Sequence, residues 1–219
     1  MKVAIFTEDT DVKLPHVDRW TGKYGRGINI SVDPKIMSLL EGNNLVIPHD
    51  DIEIEAKYRE ILYEFIRPAR SMFAGMFAEV RIFADTVSEF AQTDLYIVSG
   101  RYGLIQENDG IIPYSHHIQT EKDLEILDKR TNFSNLIVDA ANNHEIIIML
   151  LPKHYLMYFV NCGYFDRLDK KLSIIIVSSK KLLSEISDTR NINVLERKGV
   201  ARIGEKNRDE ILRLLKQYS

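Results

Sequence analysis

Sulfur crosslinks are the first thing this sequence lacks: its 219 residues contain one cysteine, Cys162. A single thiol excludes an internal disulfide framework and suits a reducing compartment. Long apolar runs are missing as well. The longest, IIIMLLP from Ile146, has the length of a strand, whereas crossing a bilayer takes roughly 20 apolar residues. The first ten residues, MKVAIFTEDT, turn acidic too early for a secretory signal. There is no excess of positive charge: the formal net charge is −3, so no chain-wide electrostatic grip on nucleic acid is expected, only a local basic site. Nothing repeats at a solenoid period and no segment is low in complexity. No Gly-x-Ser-x-Gly occurs to present a serine nucleophile, and no spaced set of His, Cys and carboxylates announces a metal. These absences point to a cytoplasmic protein with no membrane partner, no metal and no cofactor. Oligomeric state is not readable.

What remains is an ordinary globular composition, 45% hydrophobic and 28% charged. Val3–Thr7, the short LVIP ending at Pro48, LYIVS from Leu95, EIIIMLL from Glu145 and LSIIIVS from Leu172 read as strands. Helices are expected from Ile54 to Phe65, from about Glu121 to Ala141, and near Lys153, Lys180 and Asn207. The clearest helix starts at RPARS. Ala69, Met72, Phe73, Met76, Phe77, Val80, Phe83, Ala84, Val87 and Phe90 lie on one face of it. Apolar strands alternating with helices predict an α/β fold, with a mostly parallel sheet covered by helices on both faces. One domain over 1–219 is expected, with an irregular region over 8–49 and a basic helical segment over 190–219.

In open α/β sheets ligands bind outside the carboxyl ends of the strands. LYIVS runs into Gly100, Arg101 and Tyr102; EIIIMLLP into Lys153, His154 and Tyr155; LSIIIVS into Ser179, Lys180 and Lys181. The first is the strongest signal. Gly100 and Gly103 permit a sharp turn close to a ligand, and Arg101 offers a planar fork for phosphate or carboxylate. Tyr102 and Tyr114 offer ring faces for stacking, with Pro113 stiffening the approach. His116 and His117 point to opposite faces of an extended segment, so they are not expected to share an ion; one can act as a base. Arg67 and Arg70 at a helix head make sense around an anion, or else paired with carboxylates such as Glu64.

Three stretches carry weaker signals. GVARIGEKN, from Gly199, spaces its glycines like a phosphate loop but places the lysine one residue late. Around it, seven cations between Arg197 and Lys216 face four carboxylates, which suits a solvated helix face or a nucleic-acid contact. RWTGKYGRG, from Arg19, interleaves aromatic and basic residues, as a surface loop or a nucleic-acid contact would. Cys162, with no base beside it, reads as a buried small residue.

The segments from residue 65 to about 160 resemble the YaaA (peroxide-stress protein) superfamily, nearest to small uncharacterised domains grouped with it. Pro68, Ala69 and Arg70 match its helix start, Ser99, Tyr102, Gly103 and Leu104 match its strand end, and Asp109, Ile112, Pro113 and Tyr114 match the acidic residue and Ile-x-Pro-Tyr beyond that strand. Tyr155 also matches, although Leu151-Pro152 replaces the usual Ala-Gly. The resemblance implies an α/β fold with a cleft and an association with nucleic acid: DNA binding in a stress response, or modification of bases.

The resulting expectation is a protein that binds a nucleotide or nucleobase, free or in nucleic acid. Whether it modifies that ligand as an enzyme is left open. Arg70 and Arg101 hold the anion, Ser99, Tyr102, Tyr114 and Tyr155 contact the ligand, and Asp109 or His117 moves a proton. Arg101, Tyr102 and Tyr114 are expected to border one hollow with the helix head at Arg70. The alternative is a non-catalytic, DNA-binding, stress-protection protein using the C-terminal helix and the Trp20 loop.

Overall fold

Alternate side chains of a strand face opposite ways, and here both sets are apolar. In the computed structural model, strand β1 (Lys2–Glu8) sends Val3 and Ile5 into one buried cluster and Ala4 and Phe6 into another. A strand apolar on both faces can only lie inside a sheet covered on both sides. The structure describes residues 1–16, 27–179, 191–197, 199 and 201–218. After β1 come α1 (Pro34–Gly42), α2 (Glu55–Ile61), β2 (Arg67–Pro68), α3 (Ala69–Met72) and α4 (Phe77–Ser88). Next are β3 (Gln92–Ser99), β4 (Gly103–Gln106), β5 (Gly110–Ile111), α5 (Glu121–Thr131) and α6 (Phe133–Asn142). The chain continues through β6 (Ile146–Leu150), α7 (Lys153–Asn161), β7 (Ser173–Ser178), β8 (Ile192–Glu196) and α8 (Glu205–Gln217).

Six strands form one sheet in the order β4-β3-β1-β6-β7-β8, parallel throughout except for β4. Ile5 sits opposite Leu95 on one side and Ile148 on the other, which puts β1 at the centre. One face packs on α4 and α8 through Phe77, Val80, Phe83, Ile211 and Leu215. The other packs on α5, α6 and α7 through Leu127, Phe133, Ile137 and Phe159. Each of these buried side chains contributes roughly 1.5–3 kcal/mol. A third cluster, with Ile36, Leu40, Tyr58 and Phe65, joins α1 and α2 to Ile112.

The α/β architecture and its single compact fold agree with the sequence reading, and four details correct it. The long helix expected from Ala69 is two helices, because Gly75 takes φ +64° and the segment from Thr10 to Leu14 pairs with the break. There the Ala74 amide donates to the Val12 carbonyl and Leu14 N–H to the Met72 carbonyl. The helix over 121–141 divides at Asn132, φ +55°. LVIP is not a strand, and β2, β4, β5 and β8 went unforeseen. Within the irregular region, α1 starts on Pro34, capped by Asp33, whose Oδ1 accepts the Lys35 and Ile36 amides. The helix expected from Lys180 lies outside the described residues.

Candidate functional site

Because β1, β3, β6 and β7 run parallel, their carboxyl ends share one edge of the sheet. Glu8 and Asp9 stand there at the centre, just beyond Thr7 and its neighbour Leu150 on β6. Asp9 is wholly buried. Its Oδ2 accepts the Tyr114 hydroxyl and, at 3.1 Å, the Gly100 amide; its Oδ1 lies 3.4 Å from His117 Nδ1. Lys13, also buried, holds its ammonium on the Thr10 carbonyl and 4.3 Å from the centre of the Tyr114 ring. Burial alone would raise the Asp9 pKa, but the His117 hydrogen bond, the Lys13 charge and the Tyr114 hydroxyl outweigh it, so Asp9 stays ionised. That same hydrogen bond to Asp9 holds His117 above the usual imidazole value against the opposing effect of burial.

Glu8 differs from its neighbour. Burial pushes its pKa up despite the nearby Arg202 charge. Two adjacent carboxylates with opposite shifts are a pattern associated with acid–base sites. Arg202 arrives from the far end of the chain. Its guanidinium donates to Thr7 Oγ1 at 2.7 Å, to the Glu8 carbonyl and to the Asp9 carbonyl at 2.7 Å. The α4 residue Glu79 fixes that segment by accepting the amides of Arg202 at 2.9 Å and Gly204 at 2.6 Å. Beside these groups opens a depression of about 390 Å³. Glu8, Asp9, His117 and Arg202 form its polar wall, and Val12, Ala74, Gly75 and Met76 an apolar one. A larger hollow of about 590 Å³ lies between β8 and α8, but it contains no buried titratable pair.

The expected site residues separate into those at this centre and those elsewhere. Tyr114 and Ser99 are at it but buried: their hydroxyls are 2.7 Å apart, and Ser99 Oγ also accepts the Arg101 and Tyr102 amides. His117 lines the depression, and Tyr155 is buried and does not line it. Arg101 is a correction. Its guanidinium is wholly buried and fully engaged, donating to Asp51 at 2.6 Å, Glu55 at 2.7 Å and the His49 carbonyl at 2.7 Å, so no donor is left for a ligand anion. Tyr102 is tied to Glu55 at 2.8 Å and meets Tyr114 edge-on at 5.7 Å, which fills the hollow expected between them. Arg70 is drawn away by ion pairs with Asp85 at 2.6 Å and Glu107 at 3.0 Å, and heads only the four-residue α3. Asp109 is an exposed turn residue whose carboxylate accepts the Gln106 amide at 2.8 Å, apart from the Asp9 depression.

The glycines serve the chain itself. A Cβ on Gly100 would lie 2.7 Å from the His116 carbonyl, and one on Gly103, at φ +77°, 2.5 Å from Thr131 Oγ1. His116 thus packs on the turn while its neighbour reaches Asp9. Cys162, expected to be buried, is exposed at the end of α7. On α8, Arg213 pairs with Glu210 and Arg208 with Glu205 and Asp209. The Trp20 loop lies outside the described residues. Among the described residues no cluster of His, Cys, Asp and Glu is placed to hold a metal ion, and no helix is long and apolar enough to cross a membrane.

Sequence reasoning missed Glu8, Asp9, Lys13 and Arg202. The rule applied to three other strand ends also covers β1, where Glu8-Asp9 comes directly after the first apolar run. Arg202 had no such signal.

No family model and no solved structure matches this chain. Over 101 residues it is 28% identical to a UPF0246 protein of Ligilactobacillus salivarius (strain UCC118). The matched stretch is 43% of this chain and spans 40% of that relative's length.

Proposed function

From the distant YaaA-like relationship that the UPF0246 match supports, together with the geometry around Asp9, we propose that this protein binds a nucleobase or nucleotide, free or in nucleic acid, in the depression beside His117. The carrying observation is the Asp9–His117 pair. Its inner member is buried, ionised and held by three donors, while its outer member is partly exposed on the wall of the depression. Such a pair can take a proton from a bound heterocycle and return it, because the anion behind the ring stabilises the imidazolium form. A nucleobase has polar edges and apolar faces. Glu8 and His117 suit the edges; Val12, Ala74 and the Met76 thioether suit a face.

The test is calorimetric titration of the full chain with the common nucleobases, nucleosides and short oligonucleotides. Binding of at least one class is expected. His117→Gln should weaken it about tenfold or more, as loss of a hydrogen bond involving a charged group does. If none of these probes binds, or if His117→Gln binds as the parent does, the reading is wrong.

A further inference from the structure

Pairing of β1 with β6 stops at Thr7, opposite Leu150, and the chain then passes through the buried residues Glu8 and Asp9. Backbone carbonyls in such a place need donors from elsewhere in the chain. Arg202 supplies them. Its Nη1 donates to Thr7 Oγ1 at 2.7 Å and to the Glu8 carbonyl, and its Nη2 to the Asp9 carbonyl at 2.7 Å. The ion pair with Glu8 Oε1 is longer, at 3.5 Å. A cation kept only to neutralise Glu8 would make its short contacts to that carboxylate. Here the short contacts go to the strand end instead.

Arg202 is itself held. Glu79, in the first turn of α4, accepts three successive amides: Arg202 at 2.9 Å, Ile203 at 3.4 Å and Gly204 at 2.6 Å. Through Glu79, α4 fixes the segment that leads into α8. Through Arg202, that segment fixes the turn from which Asp9 reaches Gly100, Tyr114 and His117. The last of these contacts, Asp9 Oδ1 to His117 Nδ1, is already 3.4 Å long, so a small movement of the turn ends it.

We infer that Arg202 is a positioning residue of the Asp9–His117 pair: its fork grips the backbone at Glu8 and Asp9 and keeps the Asp9 carboxylate within reach of the imidazole, with Glu79 as its anchor. The inference concerns the pair on which the nucleobase reading rests, but its test needs no ligand, so either can fail without the other.

The experiment follows the His117 imidazole resonance through a pH titration of the ligand-free full chain. The charged and titratable groups facing His117 are Glu8, Asp9 and Asp11 after β1, Arg197 and Arg202 before α8, and His154 on α7. Arg202→Lys keeps the positive charge and loses the planar fork, so a change in midpoint reports position. The midpoint should fall toward an ordinary imidazole value, because the carboxylate that favours the protonated ring has moved away. Glu79→Gln turns a donor toward the backbone amides and should lower the midpoint as well; it decides the matter if Arg202→Lys does not fold. Arg101→Met, which breaks a buried ion pair in another network, should leave the midpoint where it is in the parent. An unchanged or raised midpoint in folded Arg202→Lys, or in Glu79→Gln where that variant decides, would overturn the inference. An equal fall in Arg101→Met would overturn it too, since any loosening of the fold would then have the same effect.

Discussion

Two buried charge networks hang from the same short turn, and they differ in whether they are closed. Ser99 Oγ holds the amide of Arg101 on one side and contacts the hydroxyl of Tyr114 on the other. From Arg101 the network runs to Asp51, Glu55, Tyr102 and the His49 carbonyl, and every nitrogen of the guanidinium is used. From Tyr114 it runs to Asp9, Lys13 and His117, and there it reaches the surface: the His117 side chain is 27% exposed beside a depression. A buried charge whose partners are all supplied by the chain is a structural device. One whose outermost partner is a titratable group at an opening is a candidate for chemistry.

The hardest way to break this comparison is Arg101→Met. It removes the guanidinium shared by Asp51 and Glu55 in a mostly buried setting, leaving Glu55 to Arg59, and removal of one partner from a buried pair typically costs about 3–5 kcal/mol. Denaturant unfolding should show a loss of that size, with ligand affinity of the folded fraction unchanged. Intact stability together with lost affinity would reverse the roles of the two networks. Asp9→Asn should come next. It keeps the shape but removes the charge facing Lys13 and His117, for an expected stability loss of about 1–3 kcal/mol together with loss of nucleobase binding. His117→Gln sharpens the contrast, because its ring is partly solvated and its hydrogen bond is long at 3.4 Å. Stability should fall by no more than about 1 kcal/mol, measured by the same unfolding curves, while binding weakens as proposed.

How much of this was legible depends on where partners sit along the chain. The sheet was readable because its inner strands, such as Ile146–Leu150 and Ser173–Ser178, are buried along their whole length and so read as unbroken apolar runs. The helix breaks at Gly75 and Asn132 were not, since the apolar period runs on through them and only the packing of Thr10–Leu14 and a left-handed Asn132 end the turns. Arg101 has the same appearance in sequence whether it awaits a phosphate or already holds carboxylates. Its partners Asp51 and Glu55 are 50 and 46 residues away, at the start of what reads as an ordinary helix. Arg202 is 195 residues from Thr7, and no local pattern announces a contact at that separation. His117 was recognisable as a candidate base, but the anion that gives it that capacity was not, because Asp9 belongs to the first strand end.

The smallest expected effect is the pH dependence of stability, and its two limbs separate the members of the open network. The His117 pKa is raised above 6.5 in the folded protein by its hydrogen bond to Asp9. A raised value means that the folded state binds the proton more tightly than the unfolded chain does. The resulting stabilisation is fully present below the unfolded value and fades as pH rises through the folded one. Asp9 is shifted the other way, below 3.8, with burial outweighed by His117, Lys13 and Tyr114; its contribution holds above the unfolded value and is lost as pH falls through the folded one. Thermal unfolding should therefore lose an alkaline limb above pH 6.5 in His117→Gln and an acid limb below pH 3.8 in Asp9→Asn. Because the hydrogen bond to Asp9 is the largest cause of the His117 shift, ahead of the Glu8 and Asp11 charges, Asp9→Asn should also move the His117 imidazole resonance toward an ordinary titration midpoint. A midpoint unmoved by that substitution would mean that the two groups are not coupled, and the open network would then be no different in kind from the closed one around Arg101.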